Sequence, residues 1–124
     1  MKQINSDIII IGAGSGGLSV GLFLAKVGMK VTMIVKSDRD VGGECLNDGC
    51  VPSKALIHVA RLMQAGRDAQ SFGITLSGEV DLQKAMGYVH DQQNIIRKHE
   101  NAAWLAGQGV NVVLGEASFT EGMK

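Results

Sequence analysis

Asp7-Ile8-Ile9-Ile10-Ile11-Gly12-Ala13-Gly14-Ser15-Gly16-Gly17-Leu18 is the stretch that decides how this chain folds. Four consecutive β-branched isoleucines bounded by glycine read as a short buried strand over residues 7–11. Gly12-x-Gly14-x-x-Gly17 then forms a turn. Leu18, Leu22 and Ala25 recur at helical spacing, so residues 18–27 read as a helix, which Gly28 ends. Lys30-Val31-Thr32-Met33-Ile34-Val35 reads as a second strand. This strand–turn–helix–strand order fits within the roughly thirty residues of a dinucleotide-binding βαβ unit.

In such a turn Gly12 allows the sharp bend, Gly14 lets the backbone approach a pyrophosphate, and Gly17 lets helix and strand pack closely. Ser15 and Gly16 complete the cradle at the helix N-terminus, whose unpaired N–H groups suit phosphate oxygens. A glycine-rich turn with no ligand is the plainer alternative. An acid should end the second strand and bind a ribose hydroxyl. Val35 holds that place, and the nearest acids are Asp38 and Asp40 in the following loop. Losing a charge-assisted hydrogen bond there costs roughly 1.5–3 kcal/mol unless Asp38 replaces it. Lys36 and Arg39 would instead favour a phosphate.

Outward from this unit, residues 36–49 read as a polar loop. A helix runs from about 51 to 69 with Pro52 at its first position. Residues 71–79 read as a loop with a short extended piece. Asp81 opens a long helix to about 106, with Leu82, Ala85, Val89, Ile96, Ala103 and Leu105 available for packing, and Gly107 and Gly109 end it. Residues 110–114 form a third strand, and 117–120 begin another. The fold class is α/β: a Rossmann-like open parallel sheet with helices on both faces. Three strands make a thin sheet, so residues 1–124 are expected to be a partial dinucleotide-binding domain.

The composition is that of a globular chain: 45% of the 124 residues are hydrophobic and 19% charged. Twelve basic and twelve acidic residues cancel, which gives no electrostatic case for nucleic acid or an anionic membrane. Residues 8–25 carry no charge and meet the length of a membrane span, and Gly12/Gly16 and Gly17/Gly21 mimic a helix-dimer face. The isoleucine strand and the five glycines between positions 12 and 21 argue against both a span and a signal peptide. The expected location is cytoplasmic.

The only two cysteines lie in Gly42-Gly43-Glu44-Cys45-Leu46-Asn47-Asp48-Gly49-Cys50-Val51-Pro52-Ser53-Lys54. A disulfide closing so small a loop contributes only about 2 kcal/mol by chain entropy, a weak structural staple. Cys50 stands just before the Pro52 helix start, where a helix N-terminus favours a thiolate. Cys45, in the preceding loop, is expected to be the more exposed thiol. This asymmetry suits dithiol exchange. Competing readings are a metal site built from Cys45, Cys50 and His58, and inert buried thiols. His90 and His99, amid Asp91, Gln92, Gln93, Lys98 and Glu100, read as a solvated helix face. Tyr88 and Trp104 read as packing residues.

The glycine turn and the dithiol segment, in this order and spacing, resemble the N-terminal part of the flavin-dependent pyridine nucleotide-disulfide oxidoreductases. That family includes dihydrolipoamide dehydrogenase and mercuric reductase, and Ser53 before Lys54 resembles those branches. The resemblance implies FAD as cofactor, held by Gly12, Gly14, Ser15, Gly16, Gly17, Gly43 and Lys54. It implies that Cys45 exchanges with a small-molecule disulfide or dithiol substrate, that Cys50 lies against the flavin, and that Lys54 sits near the flavin ring. The complete enzyme would use NAD(P)H and form a homodimer. The NAD(P)-binding and dimerisation domains are absent from residues 1–124, so this chain alone is expected to be inactive. A non-catalytic dinucleotide-binding module, a flavin-free NAD(P) dehydrogenase and a small thiol redox partner remain the alternatives.

Overall fold

A computed structural model describes residues 3–120. The elements in order are β1 (Ile8–Ile11), α1 (Ser15–Lys26), β2 (Val31–Val35), α2 (Gly43–Asn47), α3 (Cys50–Asp68), α4 (Leu82–Arg97), α5 (Ala102–Gly107) and β3 (Val110–Leu114). The three strands form one parallel sheet in the order β1-β2-β3. Ile8 pairs with Val31, and Val31 with Val110, so the apolar residues of all three strands stay in phase. The strands' C-terminal ends are tied together: the Gly12 N–H donates to Ile34 O at 2.8 Å, and the Gly115 N–H to Val35 O at 2.8 Å.

Period-two alternation sends Val31, Met33 and Val35 to one face. There they join Leu18 of α1, Leu105 of α5 and Val110 in a single core, with Ile8 and Ile10 packed against it. Met33 is fully buried, and removing such a side chain from water stabilises by about 1.5–3 kcal/mol. The expected helical cover is thus realised on this face. Ile9 and Ile11 point the other way and are 59% and 57% exposed. Helices α3 and α4 pack on one another and extend from the sheet as a hairpin.

Several boundaries differ from the sequence expectation. Helix α1 begins at Ser15 rather than Leu18, because Gly14 takes the extended N-cap conformation (φ −77°, ψ 179°). The long helix expected over 81–106 is two helices. Asp81 caps α4 as expected, its carboxylate accepting from the Lys84 N–H at 3.1 Å. The break comes at Asn101, whose extended backbone (φ −149°, ψ 163°) starts α5. Its Oδ1 accepts from the Trp104 N–H at 2.8 Å, and its Nδ2 donates to Arg97 O at 2.7 Å. Asparagine competes in this way with the backbone's own helical bonds. The polar stretch 36–49 contains a 3-10 turn (Asp38–Asp40) and the short α2. Pro52 is the third residue of α3, still in the first turn, where its missing N–H costs nothing. After a second 3-10 turn (Ala69–Phe72) the chain to Val80 forms no strand, and neither do residues 117–120.

Candidate functional site

The glycine turn is built as its sequence requires. Gly12 has φ +96°, a left-handed conformation that side chains resist. A Cβ on Gly17 would lie 2.4 Å from Gly12 O and 3.2 Å from Ile10 Cγ2, so only glycine lets α1 descend onto β1. Four residues on, a Cβ on Gly21 would lie 2.8 Å from Met33 Cε. The Gly17/Gly21 pair that imitates a membrane-helix contact is therefore spent on helix-on-sheet packing. No helix among the described residues is long and apolar enough to cross a membrane.

Gly14 and Gly16 differ from Gly17. A Cβ on either would meet no atom within 4 Å. No side chain caps α1, and its first turn carries no acid. The Ser15, Gly16 and Gly17 N–H groups form the positive end of the helix macrodipole, beside open space. These residues fit a pyrophosphate.

The dithiol segment docks directly on this turn. The Gly42 N–H donates to Ala13 O at 2.8 Å, and Gly42 and Gly14 form a parallel bridge. Gly43 has φ +61°, and a Cβ there would lie 2.7 Å from Gly14 Cα. Two motifs thirty residues apart thus become one site by glycine-on-glycine contact. This role for Gly42 and Gly43 was legible only as a glycine pair.

Cys45 lies on α2, and Cys50 is the first residue of α3. The Asp48 and Gly49 N–H groups both bond Glu44 O, at 2.9 and 2.7 Å, so the chain reverses between the cysteines. Both thiols are free; Cys45 is half-buried and Cys50 exposed. This reverses the expected exposure, because residues 43–47 form a helix that turns Cys45 toward the start of α3. The Cys50 side chain hydrogen-bonds the Cys45 thiol and raises its pKa above the ordinary thiol value, with burial and the Cys50 charge adding to the rise. The Cys50 backbone N–H and the Lys54 ammonium act in the opposite direction. Lys54 is exposed one turn along α3.

Three residues that the sequence did not single out fix this geometry. Gln93, expected on a solvated face, is only 8% exposed. Its Nε2 donates to Leu46 O at 2.9 Å and to Asn47 O at 2.8 Å, the carbonyls between the cysteines. Arg97 donates to Asn47 Oδ1 and, at 3.2 Å, to Arg39 O. Asn47 Nδ2 in turn donates to Gly43 O at 2.9 Å. A glutamine in a polar stretch of a helix gives no signal of this, since its carbonyl partners lie nearly fifty positions away in sequence. Asp38, Asp48, Gln93 and Arg97 border an open polar cleft of about 1110 Å³ between these elements.

At the ribose position the fit is poorer. Val35 is 4% exposed and belongs to the core. Asp38 Oδ1 accepts from the Ala102 N–H at 2.7 Å, at the start of α5. Asp40 Oδ2 accepts from Ser37 Oγ at 2.6 Å. His58 lies away from the thiols against Tyr88, with ring centroids 5.6 Å apart, and His99 meets Trp104 edge-on at 6.0 Å.

The family model described as pyridine nucleotide-disulphide oxidoreductase matches residues 6–123. The chain belongs to this family. Its members use FAD and NAD(P)H. Among curated relatives, a dihydrolipoyl dehydrogenase of Staphylococcus aureus is 35% identical over 95% of this chain and 25% of its own length. One of Bacillus subtilis is 36% identical with the same coverage. Among solved structures, the Cu(II) complex of the HOCl-induced flavoprotein disulfide reductase RclA from Escherichia coli superposes with a TM-score of 0.67. It is 32% identical, over 90% of this chain and 22% of that one. The chain therefore spans about a quarter of the length of the relatives it matches.

Proposed function

We propose that this chain is the FAD-binding, dithiol-bearing part of an NAD(P)H-dependent flavoprotein disulfide reductase. One observation carries the proposal: the Gly42–Gly43 step seats the dithiol segment on the glycine turn, beside the α1 N-terminus. A nucleotide whose pyrophosphate occupies the turn is thereby held next to the dithiol.

The residues present fit the pyrophosphate of FAD. The N–H groups of Ser15, Gly16 and Gly17 would hold it, with Gly12 and Gly14 leaving it room, Gly43 seating the dithiol segment against Gly14, and Lys54 near the ring. Bound FAD supplies a carrier that takes an electron pair from NAD(P)H and passes it to a disulfide. The chain's own part is thiol chemistry. Oxidised Cys45–Cys50 takes two electrons and two protons to give the two thiols. The Cys45 thiolate attacks a substrate disulfide and displaces one thiol, and Cys50 then attacks the mixed disulfide and releases the second. The Cys45 thiol pKa is raised, chiefly by its hydrogen bond with the Cys50 side chain, so its thiolate is favoured as pH rises.

The proposed substrate is a small disulfide or dithiol. The complete protein is proposed to be a cytoplasmic homodimer, with NAD(P)-binding and dimerisation domains outside residues 1–124 and with the isolated chain inactive. The test is turnover in a protein extending this chain to the length of its relatives. NAD(P)H-dependent disulfide reduction with bound FAD is expected, and Cys45→Ser should abolish it. Full activity in Cys45→Ser would refute the assignment.

A further inference from the structure

The family fingerprint calls for a carboxylate at the end of β2 to hold a ribose, and this chain has buried Val35 there. Asp38 and Asp40 do not supply it. Each has an oxygen committed, to the Ala102 N–H and to Ser37 Oγ respectively. Both border the cleft beside α4 rather than the strand ends. A different carboxylate stands at the strand ends. Val35 pairs with Leu114, the last residue of β3, and the Gly115 N–H closes onto Val35 O at 2.8 Å. The next residue is Glu116. Its Oε1 lies 3.6 Å from the Nζ of Lys36, the immediate neighbour of Val35.

We propose that Glu116 binds the adenosine ribose in place of the missing β2 acid, so that the ribose contact comes from β3. The proposal rests on the dinucleotide-binding reading above. The Glu116 and Lys36 side chains are 84% and 75% exposed, and a pair so open to water holds its partners weakly. Glu116 is therefore free to exchange the ammonium for ribose hydroxyls, which donate charge-assisted hydrogen bonds to its carboxylate. No other carboxylate follows the C-terminal end of β1, β2 or β3 so directly among the described residues.

The experiment measures binding of ADP and of 2′-deoxy-ADP to the 124-residue chain, by chemical shift or calorimetry, up to millimolar nucleotide. The unaltered chain should prefer ADP by roughly tenfold or more, the discrimination that one charge-assisted hydrogen bond provides. Glu116→Ala should bind both nucleotides equally, with unchanged thermal stability because the side chain is exposed. Glu116→Gln should keep part of the preference. Asp38→Asn should keep all of it. Preference that survives Glu116→Ala, or equal binding by the unaltered chain, overturns the role of Glu116 and leaves the dinucleotide reading standing. Preference lost in Asp38→Asn assigns the contact to Asp38 and overturns it equally. Failure of the unaltered chain to bind either nucleotide overturns the dinucleotide reading itself, and this proposal with it.

Discussion

Alanine at three neighbouring glycines separates packing from ligand binding. At Gly17 the new Cβ lies 2.4 Å from Gly12 O, short by roughly 1 Å of even a close C···O contact. The neighbour is backbone, in the turn itself, so a rotamer change cannot relieve the overlap. Overpacking of this kind costs about 1–3 kcal/mol, and a backbone neighbour puts Gly17→Ala at the upper end. Alanine's helix propensity returns up to about 1 kcal/mol, leaving a net loss of about 2. At Gly16 an added Cβ meets nothing within 4 Å, so only the propensity gain of up to about 1 kcal/mol remains. Urea unfolding followed by circular dichroism should therefore separate the two variants by about 2–3 kcal/mol. Gly14→Ala, also without a neighbour within 4 Å, should be as stable as the parent but lose nucleotide affinity, because its methyl group enters the space left for phosphate. The reasoning is refuted if Gly17→Ala is as stable as Gly16→Ala, or if Gly14→Ala binds nucleotide like the parent.

Other variants probe the dithiol and the helix ends. Gln93→Leu strands the Leu46 and Asn47 carbonyls; a loss of about 2 kcal/mol is expected by urea titration, with faster alkylation of Cys45 as α2 loosens. Since the Cys50 side chain is the largest cause of the raised Cys45 pKa, Cys50→Ala should move the pH profile of Cys45 alkylation to lower pH; an unmoved profile contradicts the assigned cause. Asn101→Ala removes the cap of α5 and should cost about 1 kcal/mol, with no change in thiol reactivity.

The parallel βαβ core was legible because isoleucine runs, glycine spacing and helical periodicity are local signals. The Asp81 cap was legible for the same reason. The break before α5 was not, because Asn101 lies within an otherwise helical pattern and acts through a side-chain bond that periodicity does not encode. Helix α2 was hidden by its five-residue length and polar, glycine-bearing sequence. The site's two halves were each visible as motifs, but their contact through Gly14 and Gly43 depends on how the chain returns after β2. Gln93 and Arg97 were invisible because their partners are distant carbonyls and an amide. The exposure of the cysteines was misjudged together with α2.

If Cys45 and Cys50 form a reversible redox couple, equilibration of the chain in graded thiol–disulfide buffers will show it, with mass spectrometry of non-reduced digests to locate the bond. One two-electron transition is expected, with an intrachain Cys45–Cys50 disulfide and a potential above the roughly −300 mV that marks inert structural disulfides. Thiols that remain reduced throughout, or that pair only between chains, would contradict it.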